Sequence, residues 1–196
     1  MTRPNYTILP VADVGLTMKF SDVISDSAQA AVLAADLAVK SADIEGLTET
    51  VPSYASLYVG YDPLLTDFRM VCNQLKQIDI VPSDRVEERP MWDVPVCYEE
   101  PYAPDLPELA DKLRMDPESA ILTHLSGNYL VSMYGFAPGY AYMRGVPERL
   151  RAPRKLNPVP DVPAGSVIVA GVQCLVTTLV YPTGWWAIGR SPFEFI

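Results

Sequence analysis

The sequence predicts an α+β fold in two parts, and two observations carry that reading. Over the first half, apolar residues recur at strand and helix spacings in the order β-α-β-β-α-β. Over the second half, Gly and Pro recur every few residues with aromatic and β-branched residues between them. That is the pattern of short strands joined by tight turns, in a sandwich or small barrel. Composition supports a real core: 49% of the residues are hydrophobic and 20% are charged, a balance unlike that of disordered chains.

The elements follow in order. Gly15–Phe20 alternates and predicts a strand. Ser25 or Asp26 caps a helix running to about Lys40, with Ala28, Val32, Ala35 and Val39 as its apolar stripe. Thr48–Val51 and Ser56–Tyr61 predict two strands around a Pro52-Ser53 turn. Thr66 is the expected N-cap of a second helix with Phe68, Val71, Cys72, Leu75 and Ile78 on its buried side. Asp79–Pro90 reads as a charged loop and Met91–Tyr98 as a returning strand. This order is the ferredoxin-like split βαβ unit, a four-stranded antiparallel sheet with two helices on one face. Three prolines, Pro101, Pro104 and Pro107, then stiffen the chain. Asp105–Arg114 predicts a short helix, and Asp116 caps another with Pro117 at its first position. Asn128–Tyr134 opens the β-rich part. The expected domains are therefore residues 1–98 and 99–196.

Charge narrows the function classes. A net charge of −9 argues against phosphate backbones and anionic membrane surfaces as partners. Cys72, Cys97 and Cys174 are odd in number and lack CxxC spacing, which argues against a disulfide framework or a structural zinc site. The first residues hold no long apolar run and no window is long enough to span a membrane. The expectation is a cytoplasmic protein.

Several residues are candidates for chemistry. His124 is the single histidine and a candidate general acid or base, because its ordinary pKa lies near 6.5. Arg154 follows Pro153 in a proline-rich loop, where a guanidinium can clamp a carboxylate or phosphate through two parallel hydrogen bonds. Phe136, Tyr140 and Tyr142 are the expected walls of a substrate pocket, with Gln173 reading a polar group through its amide donor and acceptor. Trp185 and Trp186 are expected one in and one out along a strand. Ser166 lies in AGSV and not in a G-x-S-x-G elbow, so a serine hydrolase is excluded. The sequence has no P-loop motif and no spacing that argues for a metal.

A set of motifs in the last third carries a resemblance: GFAPGYAYM at Gly135–Met143, the Pro153-Arg154 pair, VPAGSVIVAGVQ ending at Gln173, and GWWAIGRSP starting at Gly184. With VPSYASLYVGYDP at Val51–Pro63 and PVCYEEPYAPDL at Pro95–Leu106, they resemble the allophanate hydrolase subunit 1 family. That family includes the B-type subunit of bacterial 5-oxoprolinase and the inhibitor of the sporulation histidine kinase, with related domains in the carboxyltransferase part of urea carboxylase. The resemblance implies a C-terminal cyclophilin-like β-barrel after the ferredoxin-like domain. It implies a subunit of a heteromeric, ATP-dependent 5-oxoprolinase-type hydrolase acting on a small cyclic amide or ureido acid. Its partner would be a second-subunit protein of the same system, with ATP bound through the complex. Two other implied readings are a carboxyltransferase-like domain for urea-derived substrates and a non-catalytic histidine-kinase inhibitor. The resemblance also implies a role for His124, since relatives often carry a histidine there. The chain departs from the pattern at Leu175, Thr177 and Thr178, where relatives have Gly, Tyr and Pro. Val159 stands where relatives carry a second arginine, which weakens a two-arginine clamp. Relatives commonly continue a strand or two past the point where this chain stops at Ile196. The expectation is an unpaired sheet edge that a partner covers across an interface of about 1,600 Å².

Overall fold

A computed structural model describes residues 4–81 and 90–193. It divides into two compact units, Met1–Arg89 and Pro90–Ile196. The charged loop expected at Asp79–Pro90 falls mainly outside the described residues.

The first unit is a four-stranded antiparallel sheet in the order β1-β2-β4-β3. Its strands are β1 (Thr7–Val11), β2 (Gly15–Lys19), β3 (Leu47–Pro52) and β4 (Ser56–Tyr61). Helix α1 (Asp26–Ser41) joins β2 to β3, and α2 (Phe68–Leu75) follows β4. Ser25 caps α1 by accepting from the Ala28 N–H at 3.2 Å. The cap of α2 is Asp67, not Thr66; its carboxylate accepts from the Met70 N–H at 2.8 Å. Both residue types can cap, and Thr66 is instead buried.

Alternation sends Leu16 and Met18 of β2, and Leu57, Val59 and Tyr61 of β4, to one sheet face. Val32, Ala35 and Val39 of α1 and Val71, Cys72 and Leu75 of α2 pack on them as one core. Burying each larger aliphatic side chain contributes roughly 1.5–3 kcal/mol. Phe68, expected in the α2 stripe, stays at the surface. The Thr50 hydroxyl donates to the Asp36 carboxylate of α1, which also pairs with Lys40 at 2.8 Å, and so ties the helix to β3.

The sheet's fourth strand differs from the sequence expectation. Met91–Tyr98 forms no strand of this sheet; within that stretch only Cys97 is bridged, to Arg190 of the second unit. The edge position beside β2 is filled by β1, which hairpins onto it with Thr7 opposite Lys19 and Val11 opposite Gly15. Pro10 and an outward-facing surface hide β1 from pattern reading, because both are edge-strand properties.

The second unit holds a five-stranded antiparallel sheet, ordered β11-β8-β9-β6-β5, and a two-stranded ribbon of β10 and β7. The strands are β5 (Leu130–Tyr134), β6 (Ala141–Arg144), β7 (Val159–Val162), β8 (Ser166–Ala170), β9 (Gln173–Val176), β10 (Tyr181–Thr183) and β11 (Trp186–Arg190). Helices α3 (Leu106–Lys112) and α4 (Pro117–Leu125) complete it. Asp116 caps α4 as expected, accepting from the Ser119 N–H at 2.8 Å. Hydrogen bonds from Ser119 hold its carboxyl below the usual range.

Both faces of the larger sheet are covered. On one, Val167, Val169, Cys174, Trp186 and Ile188 pack with Leu106, Leu109, Ala120 and Leu150. On the other, Ile168, Ala170, Leu175 and Ala187 pack with Tyr140, Val162 and Trp185. Trp185 and Trp186 therefore point to opposite sides, yet both are buried. The expectation of one exposed indole fails because apolar side chains cover both sides of the sheet around β8, β9 and β11.

One ion pair joins the layers. Asp105 Oδ2 sits 2.5 Å from Lys155 Nζ, with side-chain exposures of 13% and 10%. It also accepts from the Ala187 N–H at 2.7 Å, and Lys155 lies over the Trp186 ring. Removing one partner of a buried pair strands the other charge. Asp105→Ala is expected to lower stability by about 3 kcal/mol, measured by urea unfolding followed by tryptophan fluorescence. All three tryptophans, Trp92, Trp185 and Trp186, lie in the second unit. Asp105→Asn combined with Lys155→Met removes both charges and is expected to recover most of the loss. A loss below about 1 kcal/mol for Asp105→Ala would mean that the pair behaves like an exposed one.

Candidate functional site

The hairpin between β5 and β6 carries the first candidates. Its turn closes through Gly135 N–H to Tyr140 carbonyl at 3.3 Å and Tyr140 N–H to Ala137 carbonyl at 3.2 Å. Phe136 holds φ +71°, a left-handed conformation that a bulky side chain adopts only at a cost of order 1–3 kcal/mol. Gly139 also has φ +71°, which glycine adopts freely. The turn is anchored from outside by Thr178, whose hydroxyl donates to the Pro138 carbonyl at 2.7 Å.

These residues begin a continuous row of rings. Phe136 lies 4.6 Å from Tyr181 and 5.2 Å from Tyr140, between centroids. Tyr140 lies 6.5 Å from Tyr142, and Tyr142 lies 6.1 Å from Trp185. The Arg154 guanidinium then sits 5.4 Å from the Trp185 ring centre. Tilted and edge-on contacts of this kind suit the ring quadrupole, and the guanidinium over the indole is a cation–π contact. The row runs from exposed Phe136 to buried Tyr140 and Trp185. Burial pushes the Tyr140 and Tyr142 phenols up, with Arg154 opposing the shift at Tyr142. Both phenols stay protonated at neutral pH and can donate.

Gln173 reaches the same side of the sheet by register. It pairs with Arg144 on β6 and Ala170 on β8. Ala170 and Leu175 belong to the cluster of Tyr140 and Trp185, and alternation puts Gln173 with Leu175 and Arg144 with Tyr142. Arg144 Nη1 donates to Ser132 Oγ at 3.2 Å. Arg144 and Trp185 are residues that sequence pattern alone does not place at the site. For Arg144 the available signal is the two-residue step from Tyr142.

The structure thus brings Arg154, Phe136, Tyr140, Tyr142 and Gln173 to one side of the sheet, and it puts His124 elsewhere. His124 is buried on α4, with Nδ1 2.8 Å from the Tyr98 hydroxyl and Nε2 3.9 Å from Cys174 Sγ. Cys174 belongs to the helix-covered face. Tyr129 donates to the His124 carbonyl at 3.0 Å and packs against the imidazole ring. Burial pushes the imidazole down to about 4, and the Tyr98 phenol and Cys174 thiol up to about 12. At neutral pH all three are uncharged, and the cluster is a hydrogen-bonded piece of core. Among the described residues no group of His, Cys, Asp and Glu could hold a metal ion, and no helix is long and apolar enough to cross a membrane.

The buried histidine makes stability depend on pH with a definite sign. The unfolded chain binds the proton near pH 6.5 and the folded chain only near 4, so stability falls as pH drops through that window. The loss reaches about 3 kcal/mol at its lower end. Because the chain has a single histidine, imidazole NMR titration reads the group directly. The signal is expected to stay unprotonated down to about pH 5. Titration near 6.5 in the folded protein would show a solvated ring.

Comparison with known proteins agrees with the sequence resemblance. The family model described as carboxyltransferase domain, subdomain C and D, matches residues 6–196. The chain is 33% identical to the B-type subunit of 5-oxoprolinase from Bacillus subtilis (strain 168), over 95% of this chain and 82% of that protein. Among solved structures, TTHA0988 superposes with a TM-score of 0.78 at 35% identity, over 93% of this chain and 36% of that one. The Kluyveromyces lactis urea carboxylase shares the fold at 12% identity, with a TM-score of 0.72 over 96% of this chain and 19% of that one. With its family match spanning nearly every residue and a third of its residues shared with a curated relative along most of both chains, this protein belongs to the family of carboxyltransferase domains, subdomain C and D.

Proposed function

We propose that this chain is the B-type subunit of a heteromeric 5-oxoprolinase, which opens a small cyclic amide at the expense of ATP. The observation that carries the reading is the row of rings ending in the Arg154 guanidinium, in a chain whose curated relatives are named as B-type subunits of 5-oxoprolinase. A cyclic amide that bears a carboxylate has two kinds of handle. Its flat ring packs on aromatic faces, and its carboxylate accepts two parallel hydrogen bonds from a guanidinium. Arg154 is assigned to the carboxylate, Tyr140, Tyr142 and Phe136 to the ring, and Gln173 to the amide group, for which its side chain offers both donor and acceptor. On this reading the first unit is a ferredoxin-like domain with β1 in the place of the last strand. The second is a cyclophilin-like barrel.

The chain's part is binding and orientation. No described side chain on the aromatic side forms a nucleophile–base pair, and His124 lies in the core with its charge suppressed. ATP and the activating chemistry are assigned to partner subunits of the same system, in the cytoplasm. The family's description as a carboxyltransferase domain favours a second reading, transfer of a carboxyl group to a urea-derived substrate. A small amide would occupy the same aromatic side.

Two measurements test the proposal. Arg154 is exposed, so Arg154→Ala is expected to leave the melting temperature within about 2 °C while weakening 5-oxoproline binding about tenfold or more. Unchanged binding would remove Arg154 from the site, and unfolding would make it structural. The purified chain alone is expected to show negligible oxoproline-dependent ATP hydrolysis, with turnover appearing only after its partner subunits are added. Robust turnover by the isolated chain would reject the division of labour, and urea-dependent turnover by the complex would select the second reading.

A further inference from the structure

A cleft of about 650 Å³ opens beside the turn before β8, with Cys97, Tyr102, Gly165, Thr178, Arg190 and Ser191 among its walls. It shares no residue with the aromatic row, with Arg154 or with Gln173. We propose that it is a second binding site, for a small oxyanion, with Arg190 as the anchoring cation.

Charge is the first argument. The protein carries a net charge of −9, yet among the described residues no carboxylate lines this cleft and Arg190 is its one charged residue. Among the described residues this half-buried guanidinium faces no counter-charge, an arrangement that an anion completes.

Geometry is the second. The Arg190 backbone is pinned to Cys97 by hydrogen bonds of 2.8 and 2.9 Å. Its Nε donates to the Ala164 carbonyl at 3.1 Å, which fixes the plane of the guanidinium. Among the described residues neither Nη nitrogen has a hydrogen-bond partner. Those nitrogens form the fork that grips a carboxylate or phosphate through two parallel bonds. The backbone around the cleft is tightly set. Gly165 has φ +81°, and a Cβ there would stand 2.5 Å from the Ser191 carbonyl oxygen, so only glycine lets the two loops meet. Gly165 N–H donates to Thr177 and its carbonyl accepts from Ser191 N–H, at 2.7 and 2.8 Å. That contact holds Ser191 beside Arg190. Ser191 Oγ accepts from Phe193 N–H at 3.1 Å, and its hydroxyl proton remains to donate. The Tyr102 phenol is a second donor at the mouth, where the residue is 44% exposed. The Thr177 and Thr178 hydroxyls already donate to the Pro163 and Pro138 carbonyls and serve as wall.

The test titrates the full chain with sodium acetate and, separately, with sodium phosphate at constant ionic strength, following backbone amide signals. Saturable shifts at Gly165, Thr178 and Ser191 are expected, with dissociation constants of the order of millimolar. Arg190→Gln should weaken binding about tenfold or more, and Ser191→Ala a few-fold. Arg154→Gln should leave it unchanged, which separates this site from the aromatic one. If Arg190→Gln fails to fold, Arg190→Lys keeps the charge without the fork and should weaken binding less. Saturation by phosphate alone supports a tetrahedral ligand, by acetate alone a carboxylate ligand, and by both a general oxyanion site. No saturable shift with either anion up to about 50 mM, or equal affinity in the Arg190 variants, would overturn the proposal.

Discussion

The carboxylate of Asp105 sits where three segments of the second unit meet. It accepts from the Ala187 N–H of β11, pairs with Lys155 of the proline-rich loop, and stands at the start of α3. A buried charge is tolerated only when its oxygens are satisfied, so these segments are held in one arrangement. The consequence for the site is direct. Lys155 N–H also donates to the Gly184 carbonyl at 2.7 Å, and the neighbouring Arg154 thereby lies over Trp185. The side chain assigned to ligand binding is aimed by a pair it does not join.

The five-stranded sheet imposes a second constraint, because it is a wall with apolar material on both sides. Successive residues of a strand point to opposite sides. Cys174 therefore joins the His124 cluster, and Gln173 faces the side of the aromatic row. Two adjacent residues are thus committed to different environments. On the helix side, burial neutralises the imidazole, thiol and phenol together. On the other, the rings run outward to an exposed Phe136 in a strained backbone conformation, a kind of strain found where a side chain is held for contact.

The segment that departs from the family pattern does two things. Leu175 is 1% exposed and fills the core beneath the aromatic row; a glycine there would leave a cavity and cost stability directly. Thr177 and Thr178 instead bind loop carbonyls, at Pro163 and Pro138. One hydroxyl holds the turn before β8, the other the turn that carries Phe136. The polar substitutions therefore stabilise loops, and the apolar one thickens the core.

Local chemistry was legible without coordinates wherever neighbours in sequence are neighbours in space. The stripe of α1 and the alternation of β4 announced their buried residues, because a period of 3.6 or 2 is a property of the element itself. The caps Ser25 and Asp116 were readable because a capping side chain reaches only two or three residues ahead. The motif residues Phe136, Tyr140, Tyr142, Arg154 and Gln173 were nameable for the same reason, together with their likeness to a known family. Tertiary structure alone decided what depends on pairing between distant segments. Strand β1 took the sheet edge expected for Met91–Tyr98, since backbone hydrogen bonds accept any sequence that can lie extended. Both tryptophans were buried, since a strand cannot reveal that each face of its sheet is covered. His124 was drawn into the core by Tyr98 and Cys174, which lie 26 and 50 positions away. Charge and chemistry are written in the residue, but burial, which sets whether that chemistry is available, is written in the packing around it.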